Sequence, residues 1–155
     1  MVALLDVSIL IALFDADHVH HQVTHDWFEE QRSSGWATCP ITENGFIRIA
    51  TSPSLFNPPR RPAEVVEELR AFRESGHHHF WPDAVSIADD KVFAPKMIRG
   101  HKQVSDAYLL GLATSRRGAF ATLDQTIPVS AVKGATKANL IVLSAAPGEP
   151  TAGDT

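Results

Sequence analysis

Four carboxylates stand at positions where a folded chain has no ordinary use for charge. In 103-QVSDAYLLGLA-113, Asp106 falls on the same helical side as Leu109, Leu110 and Ala113. In 40-PITENGFIRIA-50, Glu43 has Phe46 and Ile47 at the next helical turn and leans the same way. Asp6 is flanked by Leu4, Leu5, Val7 and Ile9, and Asp124 closes the apolar run of 119-AFATLD-124. Burying an ionised carboxylate alone costs several kcal/mol or forces it to take a proton, and within the predicted helices no Lys or Arg stands at helical spacing to pair with any of the four. A shared cation resolves the conflict. The donors are all oxygen, which selects a hard ion, Mg²⁺ or Mn²⁺, over zinc. One or two such ions can bridge a phosphodiester, lower the pKa of a bound water and neutralise the leaving oxygen. Each acid alone would be read as a cap or a salt-bridge partner; it is the four together that point to metal chemistry.

Positioning these acids requires an α/β arrangement, and the pattern along the chain supplies one. Residues 2–5 predict a buried strand, with Asp6 at its carboxyl end and Ser8 starting a helix through Phe14. A helix is expected near 20–32 with Val23, Trp27 and Phe28 on one face, then a strand at Trp36–Thr38 and a helix opening at Pro40, a favoured first-turn residue. The proline-rich stretch 51–62 must be a loop. A helix over 63–74 should face Val66, Leu69 and Phe72 inward, before a strand at His78–Trp81. Ser86 and Asp89 resemble a capping box for a short helix before Pro95, and Ser105 a cap for the helix carrying Asp106, ending at Gly118. Strands at 119–124 and 139–143 complete a sheet, and 145–155 reads as a flexible tail. Asp6 and Asp124 then lie at carboxyl ends of strands, where open α/β sheets place their ligands. Asp106 and Glu43, near helix amino termini, have their anionic form favoured by the helix dipole.

Composition bounds the alternatives. The 155 residues suit one domain, and 44% hydrophobic with 21% charged content is that of a globular protein. The single cysteine, Cys39, allows no internal disulfide, fits a reducing cytoplasm and reads as a small buried hydrophobe. The apolar start lacks a basic leader and is interrupted by Asp6, and no apolar run is long enough to span a membrane. A net charge of −4 excludes a surface coated in basic residues, although local basic patches could rim an acidic site. Among the cations, Arg60 and Arg61 in the proline-rich loop are the preferred contacts for an RNA backbone, with Arg48 and Lys102 beside them and Lys96, Arg99 and His101 as further rim candidates. His21 and His25 have the i, i+4 spacing of a metal pair but no third ligand, so a solvated helix face explains them better. His77, His78 and His79 suit an edge strand, Trp81 the core, and Asp15, Asp17, Asp83, Asp89 and Asp90 caps and turns.

The blocks LLDVSILIALFD, TENGFIRI, HHFWPDAVS, GHKQVSDAYLLGLA and FATLDQ, in this order and spacing, resemble the PIN-domain ribonucleases and, within them, the VapC toxins of bacterial toxin–antitoxin pairs. The resemblance covers nearly the whole chain. It implies a PIN domain over 1–144, a three-layer α/β/α sandwich with a central parallel sheet, and endonucleolytic cleavage of RNA dependent on Mg²⁺ or Mn²⁺. On the matching positions it makes Asp6, Glu43, Asp106 and Asp124 the catalytic, metal-holding acids, with Ser8 and Thr122 as supporting hydroxyls; many members carry Asn where Ser8 stands. It further implies a homodimer, a VapB-like antitoxin whose segment fills the groove near the acids, and a structured RNA substrate such as transfer RNA. The apolar side chains of the second helix and of the 63–74 helix are the candidate surface for that partner. Two other readings stay open: a catalytically silent PIN-like module that binds RNA or protein, and a metal-dependent phosphohydrolase. A haloacid-dehalogenase-like enzyme would want a second Asp where Ser8 stands, and a dinucleotide-binding domain would want a G-x-G-x-x-G after the first strand.

Overall fold

The computed structural model describes residues 1–144; the carboxyl-terminal tail expected at 145–155 lies outside the described residues. Five short strands form one parallel sheet: β1 (Ala3–Leu5), β2 (Trp36–Thr38), β3 (His78–Phe80), β4 (Ala119–Thr122) and β5 (Leu140–Val142), in the order β3-β2-β1-β4-β5. Between them run α1 (Val7–Phe14), α2 (His21–Gln31), α3 (Pro40–Ala50), α4 (Pro62–Arg73) and α5 (Val104–Ser115). The chain steps outward from β1 through β2 to β3, then returns past β1 to β4. The sheet therefore changes direction between β1 and β4, and a crevice opens at their carboxyl ends.

Alternation along the strands divides the core in two. Ala3, Leu5, Trp36 and Ala121 face α1 to α4, packing against Ile9, Leu10, Phe28, Phe46, Val65 and Leu69. Leu4, Ala37 and Phe120 face the other way, against Phe93 and Leu109, Leu110 and Leu112 of α5. This is a three-layer α/β/α sandwich. At Gly111 a Cβ would stand 2.3 Å from the Phe93 ring, so α5 approaches its layer closely only because that position is glycine.

Several expected details change. Asp6, not Ser8, caps α1, its carboxylate accepting the Val7 N–H. A carboxylate immediately before the helix reaches the free first-turn amide that Ser8, already inside the turn, cannot. Ser105 likewise sits inside α5, which grows directly out of a 3₁₀ turn at His101–Gln103, and the helix stops at Ser115 rather than Gly118. Ser86 and Asp89 satisfy only the local amides of Ala88 and Lys91, forming turns in place of the expected helix. In α4, Val65 rather than Val66 is fully buried. The histidine strand β3 does lie at the sheet edge, and Trp81 and Cys39 are buried.

Candidate active site

Asp6 is 9% exposed and accepts three hydrogen bonds: from the Val7 N–H to Oδ1 at 2.8 Å, and from the hydroxyls of Thr122 at 2.6 Å and Ser8 at 3.2 Å to Oδ2. Each hydroxyl has one proton to give and gives it to Asp6. Each then accepts a backbone N–H from the segment after β4: Ser8 from Leu123 at 3.2 Å and Thr122 from Asp124 at 3.0 Å. The two hydroxyls thus tie the end of β1 to the end of β4 across the point where the sheet reverses. Burial raises the Asp6 carboxyl above its ordinary value, against the lowering effect of these donors.

Asp106 enters from the first turn of α5. Burial pushes its carboxyl up to about 7, and the charges of Asp6 and Asp124 push the same way. Asp124, exposed just beyond β4, is lowered instead, chiefly because the Thr126 N–H donates to it at 2.9 Å, with the Thr126 hydroxyl at 2.8 Å. Three carboxylates from three distant segments therefore repel one another at one end of the sheet. Among the described residues no Lys, Arg or His side chain forms an ion pair with any of the three.

Glu43 is placed differently. It lies in the first turn of α3, where Thr42 caps the helix start by accepting the Cys39 N–H at 3.0 Å. Its Oε2 accepts the Thr38 hydroxyl at 2.6 Å, and its Oε1 accepts from Arg73 of α4 at 3.3 Å. The cation that helical spacing does not supply comes from thirty residues away. Thr38 has only one proton, given to Glu43, so its 2.7 Å contact with His78 Nε2 is an N–H donated to Thr38. His78 is correspondingly a neutral ring, its pKa lowered to about 4 by burial, with Arg73 and His79 adding to the effect. Arg73, Thr38 and His78 carry no local signal of this role.

The donor chemistry fits a hard divalent cation. Oxygen is all that Asp6, Asp106 and Asp124 present, and their mutual repulsion is unrelieved by any side-chain cation among the described residues. As they stand, the described residues contain no group of three His, Cys, Asp or Glu side chains already set to grip an ion. The carboxylates converge without closing.

The expected basic contacts separate as well. Arg60 forms a two-pronged pair with Glu68, and Arg61 pairs with Glu64 at 2.7 Å, so both are engaged on α4. Arg48 is exposed in the last turn of α3, at the opposite end from Glu43. Lys102 lines a cleft of about 340 Å³ with Arg99, His101, Gln103 and Thr126, next to Asp124. Gln103 ties two sides of this cleft together, accepting the Arg99 N–H at 2.8 Å and donating to the Thr126 carbonyl at 3.1 Å. Most of the apolar side chains of α2 and α4 are claimed by the core, with Phe28, Val65 and Leu69 buried. His21 is bound through Nδ1 to the Ala12 carbonyl at 2.7 Å, as suits a structural ring.

The profile of the PIN domain family matches residues 3–132. Ribonuclease VapC44 of Mycobacterium tuberculosis is 44% identical over 143 residues, covering 92% of this chain and 100% of that protein. Ribonuclease VapC39 of the same organism is 38% identical over 134 residues, 86% of this chain and 96% of its own length. Ribonuclease VapC38 is 43% identical over 122 residues, 79% of this chain and 84% of its own.

Proposed function

The chain belongs to the PIN domain family, among the VapC ribonucleases, and from that membership we propose that it is a metal-dependent endoribonuclease and the toxin of a toxin–antitoxin pair. The observation that carries this reading is the convergence of Asp6, Asp106 and Asp124 at the sheet reversal without a side-chain cation. These three, with Glu43 at the rim, would hold Mg²⁺ or Mn²⁺. Such an ion supplies positive charge to the phosphodiester and makes a water molecule nucleophilic at neutral pH.

The chain's own residues do the rest. Thr122 and Ser8 fix Asp6 Oδ2 in one orientation, so this ligand pays no reordering when the site fills. Thr126 does the same for one oxygen of Asp124. The raised Asp106 carboxyl favours its protonated form as pH falls below about 7, and a bound cation would favour the ionised form. Arg99, His101 and Lys102 offer positive charge to the phosphates beside Asp124. Arg60 and Arg61 could join them only by exchanging their glutamates for phosphate, and Arg48 only at a more distant part of a bound RNA.

The same reading supplies a VapB-like antitoxin as partner, a homodimer as assembly, a cytoplasmic setting and a structured RNA such as transfer RNA as substrate. Among the described residues no helix is long and apolar enough to cross a membrane. The test is cleavage of a structured RNA pool by purified protein with Mg²⁺, with Mn²⁺ and with EDTA, beside Asp106→Asn confirmed folded. Cutting that needs the metal and vanishes in the variant supports the nuclease. A folded wild type that neither cuts nor binds divalent ions leaves a silent binding module instead.

A further inference from the structure

A second cleft, of about 360 Å³, opens between α4 and β3 and is lined by Arg70, Arg73, Glu74 and His78. Two guanidiniums face one carboxylate there, and His78 is neutral with its Nε2 proton given to Thr38. Both guanidiniums are paired with glutamates outside the lining, Arg70 with Glu67 and Arg73 with Glu43. It lies on the Glu43 side of the acids, whereas the cleft of Arg99, His101 and Lys102 lies on the Asp124 side. A polyanion crossing the acids therefore passes guanidiniums that can exchange a glutamate for phosphate on one side, and Arg99 and Lys102 on the other.

Arg73 has the features of a group that changes partners. Its bond to Glu43 is a single contact at 3.3 Å between a guanidinium side chain 38% exposed and a carboxylate side chain 14% exposed, longer than a charge-assisted hydrogen bond usually is. Its guanidinium carbon lies over the Phe80 ring, 5.1 Å from the centre, and Phe80 is itself 45% exposed. A phosphate accepts both arms of such a fork, a geometry the single contact to Glu43 does not use. Glu43 does not become an orphan when Arg73 leaves, because Thr38 still donates to its other oxygen at 2.6 Å. Arg70 is tied only to Glu67, an exposed pair on the same helix.

We infer that the α4–β3 cleft binds a backbone phosphate of the RNA, flanking the scissile one on the β3 side, and that Arg73 passes from Glu43 to that phosphate as RNA binds. The uncharged contact with Thr38 then orients a Glu43 carboxylate whose charge is released toward the acid cluster. The exposed face of Phe80 gives the adjoining base a stacking surface. This assignment rests on the ribonuclease reading and adds a substrate subsite to it.

The test is fluorescence anisotropy of a fluorescein-labelled hairpin RNA in EDTA, where nothing is cut, across a KCl series. Each phosphate contact contributes about 0.7 to 0.9 to the slope of log affinity against log salt. Arg73→Gln should weaken binding about tenfold and lower the slope by one contact, and Arg70→Gln, which leaves the Glu43 pair intact, should lower it also. Glu43→Gln should tighten binding about threefold to tenfold by freeing Arg73, and that gain should vanish in the Arg73→Gln background. Unchanged slopes in both arginine variants, or a Glu43→Gln gain that persists without Arg73, overturn the subsite. Wild-type cleavage with Mn²⁺ in the same preparation keeps this separate from the nuclease itself: if the wild type neither binds nor cuts, it is the ribonuclease reading that fails.

Discussion

The two sides of the acidic crevice handle the same chemical problem in opposite ways. On the β1–β4 side, Asp6 is oriented by hydroxyls and amides alone, and the repulsion among Asp6, Asp106 and Asp124 is left standing. On the β2–β3 side, Glu43 has a hydroxyl on one oxygen and a guanidinium on the other. Neutral donors hold a carboxylate in place without cancelling its charge, whereas an arginine does both. The first arrangement keeps its attraction for an external cation; the second has to surrender a partner before it can offer the same. The difference teaches that the crevice is asymmetric before anything binds, with three acids waiting and one in reserve.

The sharpest way to break this comparison is to remove an acid from the waiting side. Asp106→Asn should lower metal-dependent RNA cleavage by about 10³-fold or more and abolish the rise in melting temperature caused by Mn²⁺, measured on protein shown folded by circular dichroism. Glu43→Gln should lower cleavage by a smaller factor, about 10²-fold, while keeping most of the Mn²⁺-induced thermal shift, since the three aspartates persist. Equal loss of the thermal shift in both variants would erase the distinction between the two sides. Thr122→Val strips the 2.6 Å donor from Asp6 while leaving every charge in place, and cleavage should fall about tenfold, with metal affinity falling in parallel in a titration.

The smallest effect is in pH dependence. Folded Asp106 holds its proton up to about pH 7, whereas an unfolded aspartate releases it near 3.8. The stabilisation from that proton is complete below the unfolded value and is lost as pH rises through the folded one. In EDTA, Asp106→Asn should therefore match the wild type near pH 4 and melt higher at pH 8. The half-buried side chain is screened by solvent, so the gain is about 1 kcal/mol, or about 2–4 °C. A melting difference independent of pH would show that the repulsion is absent.

The sequence made the waiting side legible and the reserved side only half so. Asp6 and Asp124 follow apolar strands, Asp106 and Glu43 open helices, and those local signals survive because strand ends and first helical turns are defined by neighbours in the chain. Pro40 marked its helix start, and the continuous apolar run at 2–5 pointed to a buried strand. Arg73 could not be foreseen as the partner of Glu43, nor His78 as that of Thr38, since thirty and forty residues separate them and only the packing of α4 on α3 and the β2–β3 pairing bring them together. Ser86, Ser105 and Ser8 misled for a related reason. A hydroxyl can satisfy a turn amide as well as a helix start, and the choice is made by packing beyond its own segment.

Cys39 begins α3 fully enclosed, with its thiol pushed up by burial, and it is the chain's one cysteine. A soluble disulfide reagent can reach that sulfur only when the start of α3 parts from the layer beneath. The rate of colour release in such a reaction is thus a stopwatch for the opening of the segment that carries Glu43. Any binder that clasps the β2–β3 side to the rest of the crevice will slow the stopwatch, whether or not a phosphodiester is cut.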